Sequence, residues 1–159
     1  MVLVLLGTQN NSFHRLLEEV QKKIDNGNIK EEVIVQKGYT KFESENMTLY
    51  NQLPLDEIKE LTENANLIIT HGGVGSIINS IEKSKKVIAI PRLKKYNEHV
   101  NDHQLDIIKS FNELGYIIGL NGVEELEEAL KKVQKFEPKP YIKNTGNILK
   151  MVEEFINNN

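Results

Sequence analysis

The sequence predicts an α/β fold, in which a Rossmann-like parallel sheet carries helices on both faces. Short runs of consecutive apolar residues alternate with segments whose apolar residues recur at helical spacing. A strand that is apolar at every position is buried on both faces, which is typical of a parallel sheet covered by helices. At 159 residues the chain has the length of about one domain, so residues 1–159 are expected to form a single unit.

The predicted strands and helices alternate along the chain. The apolar runs that predict strands are residues 2–6, 33–35, 47–49, 67–70, 87–90 and 116–120. The segments that predict helices are residues 13–24, 54–63, 77–81, 105–111 and 123–133. A last amphipathic helix follows a break at Pro138 and Pro140, and its apolar stripe is Ile148, Met151, Val152, Phe155 and Ile156. Parallel sheets bind ligands beyond the carboxyl ends of their strands, so a site is expected there.

Composition and charge exclude several classes of function. The net charge of −3 produces no field that attracts nucleic acid, and the chain has no long basic run. There is no cysteine, which excludes disulfides and thiolate chemistry. The apolar start, residues 1–6, is too short for a signal peptide or a membrane span. We therefore expect a cytoplasmic protein whose association with a membrane is peripheral and comes through a partner.

A glycine-rich turn after the fourth predicted strand indicates an anion site. The strand is followed by His71, Gly72, Gly73, Val74, Gly75 and Ser76, and a helical pattern begins at Ile77. The N–H groups and the dipole of a helix N-terminus favour negative charge, and glycines let a ligand approach the backbone. The alternative is a tight strand-to-helix turn that binds no ligand.

A polar segment, residues 92–104, follows the fifth predicted strand. Three of the four histidines, at positions 71, 99 and 103, and one of the two arginines, Arg92, lie in this segment or in the glycine turn. Polar residues that cluster at the carboxyl ends of strands predict a site. The alternative is a solvated loop in which Asn101 or Asp102 caps the next helix.

The sequence pattern disfavours two other kinds of site. His99 and His103 have the four-residue spacing of metal ligands on a helix. However, no glutamate completes an H-E-x-x-H pattern, and Asn101 marks a helix start between them, so no metal site and no cofactor are expected. A serine hydrolase that uses Ser76 is also disfavoured, because the G-x-S-x-G pattern is missing.

Taken in order, these motifs resemble the C-terminal, donor-binding half of family 28 glycosyltransferases. The residues that carry the resemblance are the HGGVGS turn at 71–76, Pro91-Arg92, Glu98-His99 and Asp102-His103-Gln104, with Gly7-Thr8 and an F-x-R-L-L pattern at 13–17 near the start. Within that family, the motifs resemble in particular the short PssE-type chains of bacterial exopolysaccharide and capsule assembly. Those chains are similar to the cytosolic subunit of the eukaryotic dolichol-linked N-acetylglucosaminyltransferase. The resemblance extends from residue 2 to about residue 155.

The resemblance implies one half of a two-domain (GT-B) glycosyltransferase. The chain would be a single nucleotide-sugar-binding domain and the catalytic, UDP-sugar-binding subunit of an inverting hexosyltransferase. A membrane-anchored partner subunit would bind the acceptor, a lipid-linked sugar, in exopolysaccharide or capsule synthesis. The last helix is a candidate docking element for that partner, and the alternative is that its apolar stripe packs on this domain's own sheet. The isolated chain is expected to be capable of forming homodimers.

The resemblance also implies roles for individual residues. The backbone N–H groups of Gly73, Val74, Gly75 and Ser76 would hold the diphosphate. Four further residues at the same edge would belong to the donor-binding site, namely Gly7, Thr8, His71 and Gly72. The residues that line the sugar would be Arg92, His99, Asp102, His103 and Gln104. Family members often carry a glutamate that grips the ribose where this chain has Asn79, which weakens that contact.

The catalytic base is unassigned by the sequence. His14 is a candidate because it follows the first strand. The alternative is that His14 is only a solvent-exposed residue at a helix start, and the partner is another source of the base.

The runner-up function is a non-catalytic module that binds a nucleotide-sugar or stabilises a partner glycosyltransferase chain. A nucleotide-sugar epimerase or hydrolase would need a second domain.

Overall fold

The computed structural model describes residues 1–142 and residue 150. The strands in this part of the chain are β1 (Val2–Leu5), β2 (Val33–Gln36), β3 (Met47–Tyr50), β4 (Leu67–His71), β5 (Val87–Ile90) and β6 (Ile118–Gly119). The helices are α1 (His14–Asp25), α2 (Leu55–Asn64), α3 (Val74–Glu82), α4 (His103–Glu113) and α5 (Leu126–Val133). Short 3₁₀ turns cover Lys94–Tyr96 and Val123–Glu125.

The strands form one parallel sheet in the order β3-β2-β1-β4-β5-β6. The first strand therefore lies between β2 and β4, with Val2 opposite both Val33 and Leu67. The chain winds outward in one direction from β1 to β3 and in the other from β4 to β6. At the reversal, between β1 and β4, the strand ends leave a crevice in which such sheets bind ligands. The predicted fold class is confirmed.

Alternate residues of the buried strands face two apolar layers. Val2 and Val4 pack in the cluster that contains the apolar faces of α1 and α5, whereas Leu3 and Leu5 pack in the cluster that contains those of α3 and α4. All four side chains are at most 3% exposed. Because successive side chains in a strand point to opposite faces, an all-apolar strand needs a helical layer on each side.

Several element bounds differ from the predicted ones. The third helix begins at Val74 rather than near Ile77, because Gly73 takes the N-cap position and its carbonyl accepts the N–H of Ile77 at 3.1 Å. The sixth strand is only Ile118–Gly119. The predicted helix at 123–133 is divided into a 3₁₀ turn and α5. The predicted last helix, with its stripe from Ile148 to Ile156, lies outside the described residues.

None of the helices within residues 1–142 combines the length and the hydropathy that crossing a membrane would require.

Two glycines allow the ends of β1 and β2 to approach each other. Gly7 and Gly38 have φ angles of +80° and +57°, which L side chains rarely adopt. A Cβ on Gly38 would lie 2.6 Å from the carbonyl oxygen of Gly7. The loops after these strands therefore contact each other through backbone atoms, which brings the carboxyl edge of the sheet together around β1.

Substitution of Gly38 by alanine tests how tight this approach is. Gly38→Ala and Gly27→Ala both place a side chain at positive φ, for which we expect a loss of about 1 kcal/mol in the free energy of unfolding. A Cβ at Gly38 also meets the Gly7 carbonyl, whereas a Cβ at Gly27 has no neighbour within 4 Å. We expect Gly38→Ala to cost at least about 1 kcal/mol more than Gly27→Ala. Urea denaturation measures both losses, and equal losses would contradict the close approach.

Candidate functional site

The imidazole of His71 lies between two glycines at the crevice. A Cβ on Gly7, after β1, would lie 2.6 Å from Nε2 of His71. A Cβ on Gly73, at the start of α3, would lie 2.4 Å from Cε1 and 2.6 Å from Nε2 of the same ring. Any larger residue at either position would displace the ring. Glycine at these two positions is therefore required by the packing of the His71 ring, and access for a ligand stays a prediction.

The N-terminus of α3 opens beside this ring. No side chain caps the helix, its first turn has no acidic residue, and the ladder of helical hydrogen bonds begins only at Ile77. Helix geometry leaves the N–H groups of the first turn without a partner inside the helix. A Cβ on Gly75 would meet nothing within 4 Å, and Gly75 is exposed, so this turn faces open space. Such an end favours an anion.

The side chain of Gln104 joins three parts of the site. Its Oε1 accepts the N–H of Gly72 at 2.9 Å and the N–H of Arg92 at 3.0 Å. Its Nε2 lies 3.1 Å from Nδ1 of His71. Gln104 is 1% exposed, and it ties the ends of β4 and β5 to the start of α4. In this structure the amide is occupied by the protein, so the contact with the donor sugar stays a prediction.

Burial keeps His71 neutral. The ring is 6% exposed, and burial, reinforced by the positive charge of Arg92, lowers the pKa of His71 to about 3. The hydrogen bond with Gln104 opposes this shift without overcoming it. At neutral pH the imidazole is therefore an uncharged group beside the helix N-terminus, and it can donate a hydrogen bond without carrying a net charge.

Arg92 is buried under the loop that follows β1. Its guanidinium donates from Nη1 to the carbonyls of Asn11, at 2.8 Å, and Glu98, at 3.1 Å, and from Nη2 to the carbonyl of Leu6. Burial lowers the pKa of Arg92 to about 10, so it is charged at neutral pH. With 1% of its surface exposed, Arg92 holds two loops together. A contact between Arg92 and the donor would compete with these hydrogen bonds, and it stays a prediction.

The second arginine reaches the same loop from α1. Arg15 donates from Nε and Nη2 to the two carboxylate oxygens of Glu98, at 2.8 and 2.9 Å. Burial disfavours the charge of Arg15, but the hydrogen bond and the charge of Glu98 raise its pKa overall. The guanidinium also lies over the ring of Tyr96, 4.1 Å from its centroid. Both arginines of the chain therefore hold Glu98, one through its carboxylate and one through its backbone carbonyl.

The two histidines of the loop after β5 occupy different positions. His99 is buried before α4 and lies 3.0 Å from Gln9, measured between their Nε2 atoms. Burial and the charge of Arg92 lower the pKa of His99. His103 is the first residue of α4. Within the described residues, no group of three or more histidine, aspartate or glutamate side chains could hold a metal ion.

The start of α4 is held by two short polar side chains with different partners. Oδ1 of Asn101 accepts the N–H of His103 at 2.9 Å. Asp102 occupies the N-cap position, but its Oδ1 accepts the N–H of Lys94 at 2.8 Å, so it connects the helix to the 3₁₀ turn. Of the two residues predicted as alternative caps, Asn101 bonds a backbone N–H of the helix and Asp102 does not.

Three other predicted residues lie at the edges of this arrangement. Thr8 is exposed in the loop after β1, and Asn79 is half-buried in α3. His14 is the first residue of α1 and is exposed. Its Nδ1 lies 3.1 Å from the carbonyl oxygen of Lys41, and its Nε2 lies 2.7 Å from the carboxylate of Glu18. The role of His14 as a base stays a prediction.

Sequence reasoning missed the partners that hold these loops in place. The sequence pattern predicts no role for Glu98, although it belongs to the Glu98-His99 motif, and it places Arg15 only in a helical pattern. No motif includes Gln9 or Asn11. The sequence held one signal for these contacts, which is that arginine is scarce. The chain has only two arginines, and in the structure both bind the buried residue Glu98.

A parallel sheet in this strand order, covered by helices on both faces, has the architecture of a domain of a GT-B glycosyltransferase. The chain belongs to the glycosyltransferase family 28 C-terminal domain family, which it matches over residues 1–158.

Curated relatives match parts of the chain. The UDP-N-acetylglucosamine transferase subunit ALG13 of Candida albicans is 38% identical over 71 residues, which are 45% of this chain and 22% of that protein. The human ALG13 subunit is 32% identical over 76 residues, 48% of this chain and 6% of that protein. The UDP-N-acetylglucosamine–N-acetylmuramyl-(pentapeptide) pyrophosphoryl-undecaprenol N-acetylglucosamine transferase of Prochlorococcus marinus is 30% identical over 106 residues, 65% of this chain and 28% of that protein. The chain thus matches less than a third of the length of each.

Solved structures share the fold. The NMR solution structure of ALG13 has a TM-score of 0.60 at 18% identity, and the match covers 95% of this chain and 93% of that chain. MurG from Acinetobacter baumannii has a TM-score of 0.53 at 15% identity, covering 98% of this chain and 49% of that chain. At these identities the likeness establishes the fold alone.

Substitution of Arg92 and of His103 compares the contribution to stability of a buried residue with that of a half-exposed one. Arg92→Met keeps the aliphatic stem but leaves three carbonyls without their buried donor, for which we expect a loss of at least about 3 kcal/mol in the free energy of unfolding. His103→Ala, at a half-exposed position, should cost less than about 1 kcal/mol. Urea denaturation measures both variants. A loss for Arg92→Met no larger than that for His103→Ala would contradict the structural role of the guanidinium.

Proposed function

We propose that this chain is the UDP-sugar-binding subunit of a two-subunit, inverting glycosyltransferase. It binds the donor, while a membrane-anchored partner binds a lipid-linked sugar acceptor. The proposed pathway is exopolysaccharide or capsule synthesis, as the resemblance to PssE-type chains suggests. The protein would then be cytoplasmic and would reach the membrane through its partner.

The observation that carries the proposal is the uncapped N-terminus of α3 at the crevice between β1 and β4. N–H groups of Val74, Gly75 and Ser76 are suited to the oxygens of a diphosphate. Arg92 lies beneath the loops as a buried positive charge, so the surroundings also favour an anion. The same N–H groups would stabilise the diphosphate as the leaving group of the transfer.

The names of the relatives suggest which donor to test first. Both ALG13 and the Prochlorococcus marinus enzyme are named as transferases that use UDP-N-acetylglucosamine or its sugar. The latter name also includes a lipid-linked acceptor. We therefore propose UDP-N-acetylglucosamine as the first candidate donor and a polyprenyl-linked sugar as the first candidate acceptor.

Exposed apolar residues support a partner on the carboxyl edge of the sheet. Tyr39 follows β2, Tyr50 ends β3 and Leu55 begins α2, and they are 58%, 42% and 61% exposed. Beyond β5, Tyr96 and Val100 are 48% and 74% exposed. Apolar side chains gathered at the edge that holds the ligand crevice are suited to a second domain that closes the cleft.

The base that deprotonates the acceptor hydroxyl is proposed to be His14 or a residue of the partner. His14 is exposed and lies at the start of α1, beyond the carboxyl end of β1. Its Nε2 lies 2.7 Å from the carboxylate of Glu18, and this pair has to separate before Nε2 can accept a proton from the acceptor hydroxyl. This pairing is the reason to consider the partner as the source.

A non-catalytic nucleotide-sugar-binding or stabilising module is the second candidate function. The observation that favours it is Asn79, which stands on α3 where family members often carry the glutamate that binds the ribose. Transfer of radiolabelled sugar to membranes distinguishes the two candidates. Transfer that needs both this chain and its partner supports the catalytic subunit, whereas unchanged transfer by the partner alone supports the module.

Gly75→Val tests the nucleotide site without disturbing the fold. The new side chain extends into open space at the turn that would hold the diphosphate, and valine is no worse than glycine in a helix. We expect the affinity for UDP to fall at least about tenfold, which is ~1.4 kcal/mol, with the melting temperature unchanged or higher. Calorimetry with UDP measures the affinity. Glu82→Ala, at the exposed end of the same helix, is the control and should bind as the wild type does. Equal affinity in both variants would contradict the site.

The partner surface can be tested with charge substitutions on matched exposed residues. Tyr39→Asp and Leu55→Asp should reduce co-purification with the membrane-anchored subunit at least about fivefold, because each buries a charge in the contact. Ile142→Asp is the control, since Ile142 is 63% exposed and follows Tyr141, which lies near the C-terminal end of α3. An equal loss in all three variants, or none in the first two, would contradict a docking surface at the carboxyl edge.

A further inference from the structure

The orientation of the Gln104 amide determines where the proton of His71 lies. Oε1 of Gln104 accepts two backbone N–H groups, from Gly72 at 2.9 Å and from Arg92 at 3.0 Å. Two donors on one atom identify that atom as the oxygen and the other as the amide nitrogen. The nitrogen lies 3.1 Å from Nδ1 of His71 and can only donate. Nδ1 is therefore the unprotonated acceptor, and the neutral ring carries its proton on Nε2.

The surroundings of the His71 ring keep it neutral, with its proton on Nε2. His71 is 6% exposed, and burial is the largest cause of its low pKa, followed by the charge of Arg92. His99 also lowers the pKa of His71, whereas the hydrogen bond with Gln104 raises it. A neutral imidazole with one nitrogen engaged as an acceptor has a single tautomer. The protein thus prepares one N–H group whose direction and protonation do not change near neutral pH.

The protonated nitrogen lies at the seam between β1 and α3. Hydrogen atoms in place of side chains at Gly7 and Gly73 leave room for Nε2, since a Cβ at either position would lie 2.6 Å from it. Among the described residues, Gln104 is the hydrogen-bond partner of the ring, and it uses Nδ1. Gly73 is also the N-cap of α3, so Nε2 lies beside the first-turn N–H groups of that helix.

We propose that His71 presents a fixed Nε2–H group to the ligand at the N-terminus of α3, and that Gln104 is the positioning residue that keeps the proton on Nε2. The ligand class is a nucleoside diphosphate, and for its identity the inference rests on the proposed function. The position of the proton is independent of that function. Gln104 then acts on the ligand through His71 rather than by direct contact.

Long-range ¹H–¹⁵N spectra of the full ¹⁵N-labelled chain report the tautomer of each histidine. We expect the Nε2–H tautomer for His71 at pH 7, with its signals assigned from variants of His14, His99 and His103. Saturating UDP should shift the Nε2 resonance and that of its proton. A Nδ1–H tautomer in the wild type, or a charged ring at pH 7, would overturn the inference, and this arm needs no substitution at Gln104.

Gln104→Glu tests the positioning role directly. One carboxylate oxygen can still accept the N–H groups of Gly72 and Arg92, so the structural bonds are kept. The other oxygen can only accept, so Nδ1 of His71 must gain a proton, and we expect a Nδ1–H tautomer or an imidazolium. The matched control is Gln9→Glu, at the other glutamine–histidine pair, which should leave His71 unchanged. A proton that stays on Nε2 in Gln104→Glu would show that Gln104 does not position it.

The UDP arm separates failure of the inference from failure of the proposed function. UDP that binds by calorimetry without shifting the Nε2 resonance overturns the donor role of His71. Absence of UDP binding overturns the proposed function, and with it the ligand contact, while the tautomer spectra still decide the role of Gln104.

Discussion

Two buried side chains, Gln104 and Arg92, hold the carboxyl edge of the sheet together by bonding to backbone groups of other strands. Backbone N–H and C=O groups beyond the ends of strands have lost their ladder partners and must be satisfied in another way. The amide of Gln104 accepts from the ends of β4 and β5, and the guanidinium of Arg92 donates to the end of β1. The loops after β1, β4 and β5 are held in place by these bonds.

The same arrangement sets the electrostatics of the crevice. The positive end of the α3 dipole and the buried charge of Arg92 favour an anion, while His71 is kept neutral between them. A second positive charge at His71 would be repelled by Arg92, and a carboxylate in this space would compete with a bound diphosphate. A neutral donor adds a hydrogen bond without either penalty, which is consistent with the binding of a nucleoside diphosphate.

The loop after β5 is anchored on its inner side and exposes apolar side chains on its outer side. Glu98 is 3% exposed and is held by Arg15 and by Arg92, so the loop is anchored to α1. Tyr96 and Val100 lie on the outer side of this anchored segment. An apolar surface on a rigid loop loses little conformational entropy when it is covered, which favours association with a second domain. The proposed role of the chain as one half of a cleft rests on this exposed surface and on its family membership.

Local pattern was sufficient for the elements of the fold, because the period of apolar residues and the glycines and prolines between them are local properties. The sequence by itself therefore determined the alternation of strands and helices, the turn at Gly72–Gly73 and the edge of the sheet at which polar residues gather. It did not determine the strand order, which depends on which pairs of buried faces meet. Nor did it predict that Arg92 would be buried, that Gln104 would bond to His71, or that Glu98 would join the two arginines. Those contacts span 33 residues from Gln104 to His71, 83 from Arg15 to Glu98 and 86 from Arg92 to Leu6, and only the packed sheet brings such distant residues within hydrogen-bond distance.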